Sequence, residues 1–125
     1  MTWDWAMITM LVLVIIAAVF SVLGAIGLHR FPDVYTRLHA ATKTTTFGSI
    51  FLALAVIVYA IYKMTLPETP DHNVGSYITM AAHTFIALLA VLLTNPTGAH
   101  AIARAARKTG IVPERAVVDE YEEVD

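Results

Sequence analysis

Residues 7–28 read MITMLVLVIIAAVFSVLGAIGL, twenty-two positions without a formal charge. A helix rises ~1.5 Å per residue, so ~20 residues cross the ~30 Å hydrocarbon core of a bilayer. Lipid offers no water to peptide groups, so a spanning stretch of this kind is helical. Two more charge-free stretches follow: Thr44–Tyr62, 19 residues between Lys43 and Lys63, and Tyr77–Leu93, 17 residues interrupted by His83. The fold class is therefore an all-α integral membrane protein with three transmembrane helices, near residues 6–28, 43–63 and 76–94.

Composition agrees. Of 125 residues, 58% are hydrophobic and 14% charged, against about 25% charge in soluble domains. The net charge of −2 gives no basic field for nucleic acid. Without cysteine there is no thiol chemistry or thiolate metal site. The first apolar run exceeds the ~7–15 residues of a signal-peptide core and lacks a basic flank, so it is expected to be a retained span with Trp3 and Trp5 as an interfacial anchor.

Lysine and arginine set the expected orientation. Arg30, Arg37 and Lys43 lie between spans one and two, and Arg104, Arg107 and Lys108 follow span three. The second loop has only Lys63, opposed by Glu68 and Asp71. Both basic segments belong on one side, predicting an outside N-terminus and a cytoplasmic C-terminus.

Between the first two spans, Pro32 suits the first turn of a helix and Asp33 its positive end. Phe31, Val34, Tyr35, Leu38 and Thr42 then share one face, and Asp33, Arg37, Ala40 and Lys43 another. This predicts a cytoplasmic amphipathic segment, lying apart at the interface or running directly into span two. After span three, Thr94-Asn95-Pro96 is expected to break or redirect the helix. A short helix over 98–108, ended by Gly110, then completes a membrane domain of residues 1–110. Residues 111–125 form a mostly acidic tail, expected to be disordered.

No enzymatic signature is present: HExxH, GxxxxGK[ST], GxSxG and GxGxxG are all missing, so neither catalysis nor a cofactor is expected. Nor does any metal-ligand spacing link the five histidines. Ala17, Ser21 and Ala25 repeat every fourth position on span one, flanked by Gly24 and Gly27, while Ser49 and Ala53 repeat on span two. Such faces allow close helix approach in lipid, either within the chain or, the favoured expectation, against partner subunits. His83 sits inside span three, where an ionisable group is a candidate for function and imidazole suits proton exchange. The bland alternative is a neutral ring bonded to a nearby hydroxyl or carbonyl. Asp33 and Arg37 could be no more than a solvated helical pair. His39 and Lys43, one turn apart, either snorkel to the headgroups or become buried and need partners.

Residues 27–48 read GLHRFPDVYTRLHAATKTTTFG. This resembles the signature of the G subunit of multisubunit Mrp-type (Mnh) Na⁺/H⁺ antiporters. In that family an Arg-x-Pro-Asp-x-x-x-Arg-x-His-Ala-x-x-Lys pattern follows the first span. The matching positions are Arg30, Pro32, Asp33, Arg37, His39, Ala40 and Lys43, with Pro96 and Arg104-Ala105-Ala106 extending the likeness. The resemblance implies a small subunit of a hetero-oligomeric Na⁺/proton antiporter in a prokaryotic cytoplasmic membrane, with large complex-I-like membrane subunits as partners. It implies a contribution to assembly, with the sodium route as a further candidate role. Asp33, His39, Lys43 and His83 are the candidate ion-path or interface residues; Arg30, Pro32, Arg37, Pro96 and Arg104 are candidates for orientation and assembly. The competing reading is a purely structural membrane subunit with no residue in the ion path. A free-standing sensor is a weaker one, since no soluble domain is evident.

Overall fold

The computed structural model describes residues 4–66 and 73–111. Those residues form three helices: α1 (Trp5–Arg30), α2 (Val34–Thr65) and α3 (Val74–Lys108). All three are long and apolar enough to cross a membrane. The expected tail falls outside the described residues except for Ile111, as do Trp3, Glu68 and Asp71.

The helix ends follow from local chemistry. Phe31 caps α1, its N–H donating to the Gly27 carbonyl at 3.1 Å. Pro32 has no amide proton to continue the ladder, and it disfavours helical backbone in the residue before it. Asp33 then caps α2, accepting from the Thr36 amide at 3.2 Å. Pro32 was expected inside the first turn of the next helix; it instead precedes the N-cap and belongs to the turn. Asn73 caps α3 in the same manner, accepting from the Ser76 amide at 3.3 Å. At the other end Gly110 adopts φ +78°. Its amide donates to the Arg107 carbonyl at 2.9 Å, and that of Ile111 to Ala106 at 3.0 Å. Glycine takes this left-handed turn without a Cβ clash.

One expected boundary is settled and one is corrected. The amphipathic segment runs directly into span two, since α2 is continuous from Val34 through Lys43 into the apolar run. By contrast, α3 does not break at Pro96, which lies inside it, so residues 98–108 are the last turns of one long helix. The Thr94 hydroxyl donates to the Ala90 carbonyl and that of Thr97 to Leu93, at 2.8 and 2.9 Å. These bonds support carbonyls around the proline. A full break in lipid would leave more peptide groups unsatisfied than the one bond the ring removes.

The helices lie in a row with α2 in the centre. α2 packs on α1 and on α3, while no Cα of α1 comes within 8 Å of one in α3. Small residues make the contacts: Ala6, Ala17, Gly24 and Gly27 are buried on α1, and Gly48, Ala53, Ala55 and Ala60 on α2. Among the described residues no large side chain is fully buried, and many of the large apolar ones on all three helices are exposed. A fold turned this way suits a lipid surround, where apolar burial drives nothing and close packing holds helices together.

Antiparallel packing gathers distinct residues at the two ends. At one end Trp5 meets Tyr62 edge-on at 6.3 Å, Tyr59 meets Tyr77 at 6.4 Å, and Lys63 lies 5.8 Å from the Tyr59 ring centre. The Tyr62 hydroxyl also donates to the Asp4 carboxylate. At the other end stand Arg30, Arg37, Arg104, Arg107 and Lys108. From Trp5 to Arg30, Tyr62 to Arg37 and Tyr77 to Arg104 the helices rise about 37–40 Å. That distance places the aromatic belt at one membrane interface and the arginines at the other. Introduced single cysteines, in a chain that has none of its own, test this. Thr65→Cys and Thr109→Cys are expected to react with an impermeant maleimide from opposite sides. Reaction of both from one side would refute the arrangement.

Candidate functional site

The α1–α2 seam is built where side chains are smallest. A Cβ added to Gly24 would lie 2.9 Å from the Thr44 Cβ, and one on Gly27 would lie 2.9 Å from that of Ala40. Phe20 stacks on Phe47 at 5.2 Å and on Phe51 at 5.9 Å, closing the seam beyond the glycines. The small-residue pattern is therefore divided. Ala17, Gly24 and Gly27 serve packing within the chain, whereas Ser21 and Ala25 remain exposed. Ser21 and Ala25 join Thr44, Thr45 and Ser49 along a groove of about 310 Å³. Within it, Ser21 donates to the Ala17 carbonyl at 2.9 Å and Thr44 to Ala40 at 2.7 Å. With those protons engaged, both hydroxyl oxygens face the groove as acceptors.

The segment after α1 is organised by its own polar groups. Asp33 accepts from the Thr36 amide and from the Thr36 hydroxyl. The Thr36 hydroxyl, aided by backbone amides, holds the Asp33 carboxyl below the ordinary value of 3.8 against the opposing effect of desolvation. Arg37 does not pair with Asp33; its Nε donates to the Phe31 carbonyl at 2.7 Å, bracing the turn that Pro32 creates. His39 and Lys43 both lie exposed on α2. Lys43 is about 9 Å farther into the membrane than Arg37, six residues along the helix.

His83 lies elsewhere. It is exposed on α3, about 9 Å inward from Tyr77. With Asn73, Gly75, Ser76, Thr79, Met80 and Thr84 it lines an open recess of about 720 Å³. Thr84 donates to its own Met80 carbonyl at 2.8 Å. No residue of α1 or α2 lines the recess. His83 and Lys43 therefore stand near opposite interfaces on different helices and do not form one centre. Pro96 is exposed on α3, Arg30 ends α1, and Arg104 lies in the cationic end beside Tyr35.

Sequence reasoning missed two features. Asn95, read only as a helix breaker, has a buried amide nitrogen without a hydrogen-bond partner. Its neighbours Thr94, Pro96 and Thr97 gave no local sign of burial. Tyr35, read only as part of an apolar face, donates to the Ile111 carbonyl at 2.9 Å and ties the start of α2 to the end of α3. Nothing local reveals a bond between residues 76 positions apart. Among the described residues no group of three or more His, Asp or Glu side chains is placed to hold a metal ion.

Comparison with known proteins connects these features. Residues 13–107 match the PhaG/MnhG/YufB family, described as Na⁺/H⁺ antiporter subunit. The UPF0091 protein PH1428 of Pyrococcus horikoshii is 57% identical over 106 residues, covering 85% of this chain and 84% of that one. The G subunit of a Na⁺/H⁺ antiporter from Alkalihalophilus pseudofirmus is 35% identical over 100 residues, covering 80% and 73%. A chain in the membrane-bound sulfane sulfur reductase, an archaeal respiratory membrane complex, superimposes with a TM-score of 0.68 at 37% identity. The superposition covers 91% of this chain and 93% of that one. The matched region takes in the Gly-lined seam, the Pro32 turn and the long third helix, and the chain belongs to the G-subunit family of multisubunit Na⁺/H⁺ antiporters.

Proposed function

We propose that the chain is a small subunit of a hetero-oligomeric membrane complex that exchanges a monovalent cation, Na⁺, for protons. It helps assemble the complex and presents polar side chains to partner subunits along the cation or proton route. One observation carries this reading: the polar face of α3 around His83 points away from the rest of the chain. An imidazole about 9 Å inside the interface needs a polar or protein neighbour, and none comes from α1 or α2. Three helices in a row also enclose no pathway, so the neighbours must be other subunits. Large complex-I-like membrane proteins are the proposed partners, in a prokaryotic cytoplasmic membrane. The cationic end supports a cytoplasmic C-terminus and an outside N-terminus.

The likeness to a chain of a respiratory membrane complex supports a second reading, in which this subunit type serves a redox-driven assembly. Antiport measurements on the intact complex address both. His83→Leu is expected to lower Na⁺-dependent proton movement in everted vesicles at least fivefold, with complex abundance unchanged. Loss of the complex would instead support a purely structural role. Unchanged exchange and abundance would remove His83 from the function. Exchange that requires an electron donor would favour the redox-driven assembly.

A further inference from the structure

At the arginine-rich end, α2 and α3 enclose a groove of about 530 Å³ lined by Tyr35, His100, Ala103, Arg104, Arg107 and Lys108. We propose that this groove binds the phosphate headgroup of an anionic membrane lipid, seated between α2 and α3. The site does not depend on the transport reading; it requires only that this end lie at a membrane interface.

The argument begins with helical spacing. His100, Arg104 and Lys108 recur every fourth residue, so they stack along one face of α3, with Arg107 beside them. Arg104 and Lys108 are exposed. The exposed Arg104 and Lys108 are the two charges that the groove offers an anion. A guanidinium and an ammonium on adjacent turns can hold separate oxygens of one phosphate.

Depth favours a lipid over a soluble anion. Arg104 is level with the interface, and His100 lies one turn, about 6 Å, farther into the membrane. Between them the walls are the Tyr35 ring, Ala103 and the aliphatic stems of the basic residues. A free phosphate has no use for these apolar walls, whereas the glycerol and first acyl carbons of a lipid would cover them. The Tyr35–Ile111 hydrogen bond fixes the mouth by joining the first turn of α2 to the residues after α3. Basic pockets between helices on the cytoplasmic side are a recognised setting for anionic headgroups.

The test uses the full-length chain in mixed micelles, titrated with phosphatidylglycerol or phosphatidylcholine and read by native mass spectrometry. Retention of phosphatidylglycerol well above phosphatidylcholine is expected. Each basic residue near an anionic lipid contributes about fivefold, so Arg104→Gln with Lys108→Gln should weaken retention roughly 25-fold. The exchange Arg104→Lys with Lys108→Arg keeps both charges and should stay within about threefold. Lys63→Gln, at the other end, should change nothing. Unchanged retention in the double glutamine variant, or equal retention of both lipids, would overturn the proposal. Displacement by millimolar inorganic phosphate would make this a free-anion site, and displacement by polyglutamate a site for acidic polypeptide. Either result would overturn the lipid assignment.

Discussion

Gly24→Leu is expected to reduce the membrane-inserted, assembled subunit at least tenfold. Even the Cβ of an alanine would lie 2.9 Å from the Thr44 Cβ, closer than real carbon atoms approach. Both positions are on helix backbones, so relief requires α1 and α2 to move apart. That separation would loosen the Phe20 stacking on Phe47 and Phe51, which depends on the same spacing. Overpacking of this kind costs about 1–3 kcal/mol in a well-packed interior, and about 1.4 kcal/mol is a tenfold change. In lipid no apolar driving force compensates for lost packing. Subunit abundance and thermal aggregation in detergent provide the measurement. Gly98→Ala is the control, because a Cβ there meets nothing within 4 Å. Gly24→Ala should show a smaller loss, and adding Thr44→Gly should recover most of that loss, since it removes the Thr44 side chain that the new Cβ meets. Normal abundance of Gly24→Leu would show that the seam is not what holds the helices together.

The second large effect concerns Lys43. Its ammonium is exposed on α2 about 9 Å inward from Arg37, in a helix that continues without interruption into the apolar run. The position allows two fates. The side chain can snorkel to the headgroups, or a partner subunit can cover it and supply an acceptor. We propose the second, because the same helix carries His39 one turn nearer the interface on the same face. Leaving a covered charge without its partner costs roughly 3–5 kcal/mol. Lys43→Ala removes the ammonium and leaves that acceptor unpaired, so blue-native gels are expected to show at least tenfold less complex. Lys63→Ala should change it less than twofold. Lys63 sits in the aromatic belt over the Tyr59 ring, where an exposed cation–π contact contributes about 0.5–1 kcal/mol. Equal, mild effects from the two substitutions would assign Lys43 to the headgroups.

Much of this molecule is legible without coordinates. The span count follows from three charge-free runs, because hydrocarbon thickness and helical rise are fixed quantities. The family pattern from Arg30 to Lys43 is visible as letters. Part of its purpose becomes visible only when folded: Asp33 caps α2, and Arg37 braces the Phe31 carbonyl instead of pairing with Asp33. Such bonds depend on where a turn points, which helical spacing does not encode. The pattern also gave no reason to expect that Asn95 would be buried without a partner or that Tyr35 would reach Ile111.

What the sequence determined by itself was the environment: helices in lipid, a cationic end and an aromatic end. Those are sums over composition and charge, and they survive any rearrangement of neighbours. Only the tertiary structure decided which faces are used internally. It turned Gly24 and Gly27 toward α2, left Ser21 and Ala25 lining an open groove, and set His83 on the outer face of α3. It also carried α3 through Pro96 without a break. In each case the outcome depends on close approach between two helices, or on hydroxyls one turn away that support the backbone. A helix read alone has several small or polar faces, and only the neighbour that comes within van der Waals distance selects among them.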